Sequence, residues 1–342
     1  MASHAQPFPF LKDQLIKTCV LKFNKKYWIP LLALCLILGV ASAGIIAGKS
    51  LLAKNTVSIF TQTKNECPGL KWLAVADTLH PNRPVSVEGE LYFAGERVPL
   101  EDPDVRERLE RELIINTNWH SNTILCMKMA NRYFPEVEKT LSDNGVPTDF
   151  KYLALIESNF RLEASPAGAT GFWQFVKSTA EKLDMEVNEQ VDERYNVEKA
   201  TRGACIYLKD AKERLGSWTL AAASYNMGLT GAMTRAKEQR MNNYYDMYFN
   251  QETSRYVFRM LAMKIIFSNP KKAGFEMTAD ELYAPYKYKV VEVDTGIPNI
   301  GDFAAQFNLK YKHIKILNPW LRDARLTNKD HKKYQIKIMD ND

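Results

Sequence analysis

From Tyr27 to Gly48 the chain reads YWIPLLALCLILGVASAGIIAG, with no charged residue between Lys26 and Lys49. About twenty apolar residues at ~1.5 Å rise span roughly 30 Å, the thickness of a bilayer's hydrocarbon core. The run therefore predicts a membrane-spanning helix at 27–48. Lys22, Lys25 and Lys26 precede it and Trp28 stands at its edge. By the positive-inside rule residues 1–26 stay in the cytoplasm and the rest is exported. Ala41-Ser42-Ala43 also resembles a signal-peptidase site, which would make the run a cleaved leader. The long segment before the run and its continuation to Ala47 favour an uncleaved anchor.

Residues 49–100 carry several prolines and glycines and read as a connector, with a small hairpin suggested around Val85–Ala94. From Glu101 to about 285 the periodicity turns helical. Leu109, Leu113, Asn116/Thr117 and His120 keep a three-four spacing, and similar runs recur at 124–134, 149–158, 176–183, 197–215, 219–227 and 253–267. After that, Lys287–Val293 alternates like a strand, Ile300–Asn308 and Tyr311–Leu317 read as short helices, and Tyr334–Met339 alternates again. The predicted class is mainly α: an all-α domain over 101–285, then a small βααβ module over 286–342.

The 342 residues are 46% apolar and 25% charged, which excludes collagen-like and disordered classes. The net charge of +6 is unevenly spread. Residues 1–26 hold five Lys against one Asp, and residues 286–342 hold eleven Lys+Arg against seven Asp+Glu. Each end is therefore +4 and the long middle is −2. A middle domain that is not basic removes nucleic acid as a partner. The five cysteines (Cys19, Cys35, Cys67, Cys126 and Cys205) form no CxxC pair or Cys/His cluster, so no metal site is expected. One disulfide among Cys67, Cys126 and Cys205 is compatible with an oxidising compartment.

The candidate chemistry starts at Asp149–Ser158. Phe150, Leu153, Ala154 and Glu157 share one helix face, so a carboxylate occupies a position where the pattern asks for a core residue. Burial and the negative end of the helix both raise its pKa, as a general acid requires; a glutamate that merely reaches water at the helix end is the plainer reading. Gly171-Phe172-Trp173-Gln174-Phe175 sets an amide among aromatic faces, a combination suited to sugars as well as to an ordinary core. Ser224-Tyr225-Asn226 ends a small-residue helix before Gly228, and Glu252-Thr253-Ser254-Arg255-Tyr256 opens the last long helix.

Taken in order, Glu157-Ser158, Gly171–Phe175, Ser224–Asn226 and Glu252–Tyr256 resemble the motif series of the lytic murein transglycosylases, over about residues 140–270. The tryptophan in the second motif, Ala164–Ala169, Val191–Arg194 and Lys199-Ala200 are most similar to the membrane-bound D type. The resemblance implies a lysozyme-like catalytic domain that cleaves the β-1,4 bond between N-acetylmuramic acid and N-acetylglucosamine and leaves a 1,6-anhydro end. Glu157 would act as acid and then base, with Ser158, Trp173, Gln174, Tyr225, Asn226 and Tyr256 binding or orienting the sugar. No cofactor or metal is implied. The partners would be peptidoglycan glycan strands and, through residues 27–48, the cytoplasmic membrane, with the catalytic domain in the periplasm. Phe172 and Ser224 depart mildly from the usual pattern. Tyr288–Val290, Asp294-Thr295, Phe303-Ala304 and Leu317–Trp320 resemble a LysM unit, which binds N-acetylglucosamine backbones, although Val293 replaces a usual glycine and Pro298 intrudes. A hydrolytic muramidase of goose-lysozyme type and a non-catalytic wall-binding scaffold stay open as alternatives. Asp149, Glu163, Asp192 and Glu193 are conceivable second carboxylates without motif support.

Overall fold

The computed structural model describes residues 85–340. The expected cytoplasmic tail, the anchor at 27–48 and Cys67 lie outside the described residues. Among the described residues no helix is long and apolar enough to cross a membrane.

The chain enters through a hairpin, β1 (Leu91–Phe93) and β2 (Glu96–Val98), paired antiparallel with Tyr92 opposite Arg97. Ala94 and Gly95 turn it with φ of 52° and 79°, the left-handed pair that a tight two-residue hairpin demands. The hairpin thus spans 91–98, later along the chain than the alternation at 85–94 suggests. It is also no free connector, because Phe93, Val98 and Leu100 are buried in the helical core. Asp149 fixes it there: one carboxylate oxygen accepts from the Ala94 N–H and from Lys264 Nζ, both at 2.7 Å.

Ten helices follow in the described residues. α1 (Pro103–Asn118) starts under an Asp102 cap with proline in its first turn. Its expected continuation to His120 breaks at Trp119, which is left 57% exposed, and α2 (His120–Asp143) begins anew. Pro135 stops the apparent periodicity at Phe134, yet α2 runs through it. Buried residues on both sides, Ala130 before and Val137, Thr140 and Leu141 after, hold the two halves against the core. α3 (Lys151–Ser158), α4 (Lys177–Lys182) and α5 (Val197–Leu215) come next. Gly216, with φ 76°, ends α5, and Ser217 caps α6 (Trp218–Met227).

α6 explains how the core closes. Leu220, Ala221, Ala222, Ala223 and Ser224 are all fully buried, so small side chains let neighbouring helices approach its backbone closely. α7 (Leu229–Gln239) went unpredicted because only Ala232 of it is buried. α8 (Gln251–Ser268), capped by Asn250, packs along α1, α6 and α3. Its Arg255 grips buried Glu112 of α1 through two hydrogen bonds of 2.6 and 3.1 Å. Breaking such a pair from one side costs ~3–5 kcal/mol. Cys126 and Cys205 are buried free thiols, so no disulfide joins them.

The expected βααβ module is present as β3 (Tyr288–Val293), α9 (Ile300–Ala305), α10 (Tyr311–Leu317) and β4 (Tyr334–Met339). β3 and β4 pair antiparallel, from Tyr288 opposite Met339 to Val293 opposite Tyr334. Its core of Ile300, Phe303, Ile314, Trp320, Leu321, Ile336 and neighbours also takes in Val191 and Tyr195 from the helical body. Arg132 of α2 holds the preceding strand of chain by donating to the Ala284 carbonyl and the Tyr286 hydroxyl, at 3.1 and 3.0 Å.

Glu96 supplies a test of the hairpin's role. Its carboxylate accepts from the backbone N–H groups of Trp218 and Thr219 and from the Ser217 and Thr219 hydroxyls at the start of α6. Burial alone would raise its pKa, but these donors together bring it below the usual value. A depressed carboxylate stabilises the fold above its unfolded pKa, and that contribution fades as pH falls through the depressed value. Glu96→Ala should lose about 2–4 kcal/mol at neutral pH in chemical unfolding, with the deficit shrinking under acid conditions.

Candidate functional site

The site is organised by the end of α3. Phe150, Leu153 and Ala154 are fully buried, as the helix face requires, and Glu157 follows on that face partly buried. The helix then stops abruptly, because Asn159 and Phe160 both take left-handed backbone conformations, with φ of 49° and 53°. An asparagine tolerates that region, whereas a bulky phenylalanine is held there by its packing. Phe160 is buried among Tyr133, Phe134 and Phe172. Asn159 is held in turn by a network the sequence does not announce. Its amide donates to Asn122 Oδ1 at 3.2 Å, and the Cys126 thiol donates to its Oδ1 at 3.2 Å.

The Glu157 carboxyl receives the Tyr256 hydroxyl as hydrogen-bond donor. Tyr256 is fully buried on α8, and burial, together with the nearby Glu157 charge, drives its pKa well above the usual tyrosine value. It therefore remains a donor. Burial raises the pKa of Glu157; the Tyr256 bond and the charge of Arg259 pull it down, and the charge of Glu252 adds a smaller upward push. The net shift is upward. Arg259 sits one turn beyond Tyr256, and its Nη2 donates to the Ile156 carbonyl at 3.1 Å, one of the unpaired carbonyls of the last turn of α3. A guanidinium at a helix C-terminus also complements the helix dipole.

Gln174 lies on the loop between α3 and α4, with φ 51°, and its amide donates to the carbonyls of Gly171 at 3.0 Å and Glu163 at 3.2 Å. The aromatic residues flanking it do not serve as sugar platforms. Trp173 is fully buried, with its indole N–H donating to Thr201 at 2.9 Å, and Phe172 and Phe175 are 2% and 4% exposed. The expectation that Trp173 faces substrate is therefore corrected: an indole with a partner inside the fold is core, and it pins the loop to α5. Ser158 is likewise spent on the loop, donating to the Phe172 carbonyl at 2.9 Å and accepting from the Phe160 N–H at 3.0 Å.

Tyr225 and Asn226 leave the end of α6. The Tyr225 hydroxyl donates to the Trp173 carbonyl at 2.8 Å, and burial pushes its pKa well up. Asn226 joins α6 to α8, donating to Glu252 at 3.0 Å and accepting from Thr253 at 2.7 Å. Glu157, Tyr225 and Tyr256 thus form one electrostatically linked group, and Asn226 reaches it through Glu252, which acts on Glu157. The Gln174 amide bonds to loop carbonyls instead. Sequence reasoning missed Arg259 and the Asn122–Cys126–Asn159 network. A cation one turn after Tyr256 was a readable signal for the first; the second depends on a tertiary contact with no local signature.

Three of the conceivable second carboxylates have other duties. Asp149 holds the hairpin, Asp192 pairs with Arg194 at 2.7 Å, and Glu193 accepts from the Glu186 N–H at 2.9 Å. Glu163 is exposed on the loop. Among the described residues no group of His, Cys, Asp and Glu is arranged to hold a metal ion.

With this geometry in place, the comparisons with known proteins are specific. Residues 134–249 match the Transglycosylase SLT domain. Residues 289–342 match the soluble lytic transglycosylase C-terminal LysM-like domain. The chain is also similar to membrane-bound lytic murein transglycosylase D of Escherichia coli strain K12, at 25% identity over 222 residues, 62% of this chain and 48% of that protein. The same protein from Escherichia coli O6:H1 strain CFT073 gives the same figures. The chain thus spans about half the length of the curated relatives it matches. It carries an SLT transglycosylase domain followed by a LysM-like C-terminal domain, with homology to membrane-bound lytic murein transglycosylase D.

Proposed function

We propose that this protein is a peptidoglycan lytic transglycosylase acting at the cell envelope, with Glu157 as its catalytic residue. The observation that carries the reading is a carboxyl group with a raised pKa at the end of a core helix, held by the Tyr256 hydroxyl inside an SLT domain. A protonated Glu157 can donate to the glycosidic oxygen as the bond to the muramic acid C1 breaks. The resulting carboxylate, stabilised by Tyr256, then takes the proton from the C6 hydroxyl as that oxygen attacks C1. The 1,6-anhydro ring closes, the other glycan end leaves as the alcohol, and Glu157 is protonated again. One carboxyl group completes the cycle, and no water is consumed.

Asn226 and Gln174 stand as sugar-orienting residues, while Ser158, Trp173 and Tyr225 shape the loop beside Glu157. The partner is the glycan strand, with the LysM-like module as a second contact to the wall. The apolar run at 27–48 supports attachment to the cytoplasmic membrane with the catalytic domain in the periplasm. The relatives are named membrane-bound, which agrees with that placement.

A hydrolytic muramidase is the second reading, favoured by one feature: the Glu252 carboxylate lies close enough to act on Glu157, and two carboxylates with a water between them suit glycoside hydrolysis. Mass analysis of digested murein separates the two. The expected products end in 1,6-anhydromuramic acid; reducing muramic ends would replace the transglycosylase by the hydrolase. Glu157→Gln should abolish release of soluble fragments, and clearance at the wild-type rate would remove Glu157 as the catalytic residue.

Tyr256→Phe tests the tuning of the acid. Its hydroxyl favours the charged form of Glu157, so removing it should raise the Glu157 pKa further. Activity that needs the protonated acid falls as pH rises through that pKa, so the alkaline limb of the rate profile should move to higher pH. At the same time kcat should drop by about 10- to 100-fold, because the carboxylate formed in the first step loses its donor. An alkaline limb that moves to lower pH would contradict this assignment.

A further inference from the structure

Arg194 is remote from the reacting group by role, yet the loop that carries Trp173 and Gln174 hangs on it. Its Nη1 donates to the carbonyls of Gly168 at 3.2 Å and Phe175 at 3.1 Å, on either side of the Gly171–Gln174 stretch. Its own carbonyl accepts from the Phe172 N–H at 3.4 Å. That carbonyl oxygen also lies 1.9 Å from where a Cβ on Gly171 would be, and Gly171 has φ of 80°, so only glycine allows this approach. The remaining edge of the guanidinium is gripped by Asp192, with Nε to Oδ1 at 2.9 Å and Nη2 to Oδ2 at 2.7 Å. Both side chains are nearly buried, at 10% and 9% exposure.

The far side of the same segment belongs to the C-terminal module. The Asp192 N–H donates to the Trp320 carbonyl at 2.9 Å, and the Arg322 N–H donates to the Gln190 carbonyl at 2.8 Å. Val191 pairs with Leu321 as an isolated bridge. Gln190 Oε1 accepts from the Thr327 N–H at 2.8 Å, and the Arg322 guanidinium stacks over Tyr195 at 4.0 Å. Tyr195 in turn accepts the Thr170 hydroxyl at 2.5 Å, back on the active-site loop.

Residues 190–195 are therefore held on one side by the module and hold the loop on the other. The loop's carbonyls are what Ser158 and Tyr225 bind, through Phe172 and Trp173 respectively. A shift of the loop is thereby transmitted to both residues beside Glu157. We infer that Arg194 is a positioning residue for the reaction at Glu157, and that docking of the C-terminal module on residues 190–195 keeps it in place. This rests on the proposed reading of the site as one that cleaves glycan. It gives the module a task besides any contact with the wall, that of a brace for the catalytic loop. A guanidinium suits the task because its planar fork can meet Asp192 along one edge and two carbonyls with another nitrogen; a lysine ammonium cannot reproduce that geometry.

The test uses the full-length protein and measures kcat and KM for release of soluble fragments from purified murein, with thermal melting as a check on folding. Arg194→Lys should lower kcat about tenfold or more, with a smaller effect on KM, because misplacement of the site damages the chemical step more than binding. Guanidinium ion added to Arg194→Ala should restore part of kcat. On the module side, the paired surface change Gln190→Ala with Arg322→Ala should lower kcat in the same direction. Its loss should be less than additive with that of Arg194→Lys, since both act through one chain of contacts. A folded Arg194→Lys with wild-type kcat overturns the positioning role, and wild-type kcat in the surface pair overturns the brace. Should melting show Arg194→Lys unfolded, the surface pair decides. Glu157→Gln is the control: activity surviving in it defeats the reading of the site, whereas normal kcat in the Arg194 variants defeats only this inference.

Discussion

A carboxyl group kept largely out of water at the end of a core helix is the constraint around which the rest is arranged. Burial disfavours the charged form of Glu157, yet the proposed reaction needs that form as its second half. The opposing influences are all supplied by α8: Tyr256 and Arg259 favour the carboxylate, while Glu252 opposes it. Glu252, Tyr256 and Arg259 are spaced at helical intervals, so one rigid element sets the balance. That places a demand on α8 itself. It must lie against α3 within hydrogen-bond reach of both Glu157 and the Ile156 carbonyl. The Glu112–Arg255 pair with α1, the Asn226–Thr253 bond to α6 and the Lys264–Asp149 bond to the head of α3 fix it along its length.

Much of this was legible in the sequence, for a definable reason. Where burial is one-sided, periodicity reports it: 197–215 and 311–317 coincide with the helices observed, and 334–339 with the strand. Glu157 stood out because it broke a hydrophobic pattern. What failed was information held in tertiary contacts. α7 presents almost nothing to the core and so has no stripe to read. Pro135 signals a helix end, but packing on both sides of it overrules the local cost. For the aromatic residues of the Gln174 loop the sequence leaves two directions open, towards sugar or towards the core. Composition can say that Trp173 has a flat apolar face, but only the fold shows that this face and its N–H are both satisfied by α5.

The loop shows how a segment with little regular structure is given one shape. Three of its residues need or tolerate left-handed backbone, Gly168, Gly171 and Gln174, with φ of 76°, 80° and 51°. Such conformations persist only where the surroundings over-determine them. Here the surroundings are unusually complete: Arg194 on the Gly168 and Phe175 carbonyls, Ser158 and Tyr225 on successive carbonyls, and Trp173 anchored beneath. A loop fixed so heavily behaves as part of the scaffold, which is what a site that must hold a sugar in one pose requires.

The same accounting bears on why one carboxyl group can suffice. A second carboxylate poised across the bond would have to be free of other partners and close to Glu157. Asp149, Asp192 and Glu193 are each committed to holding the fold, and losing any of them from that duty would strand a buried or partly buried cation or backbone donor. Glu252 alone combines proximity with exposure, but its carboxylate accepts from Asn226 and its charge already contributes to the raised pKa of Glu157. That upward push favours the protonated form of Glu157, the form the first step uses. A substrate hydroxyl delivered to Glu157 itself needs no second acceptor, because the carboxylate left by the first step takes its proton.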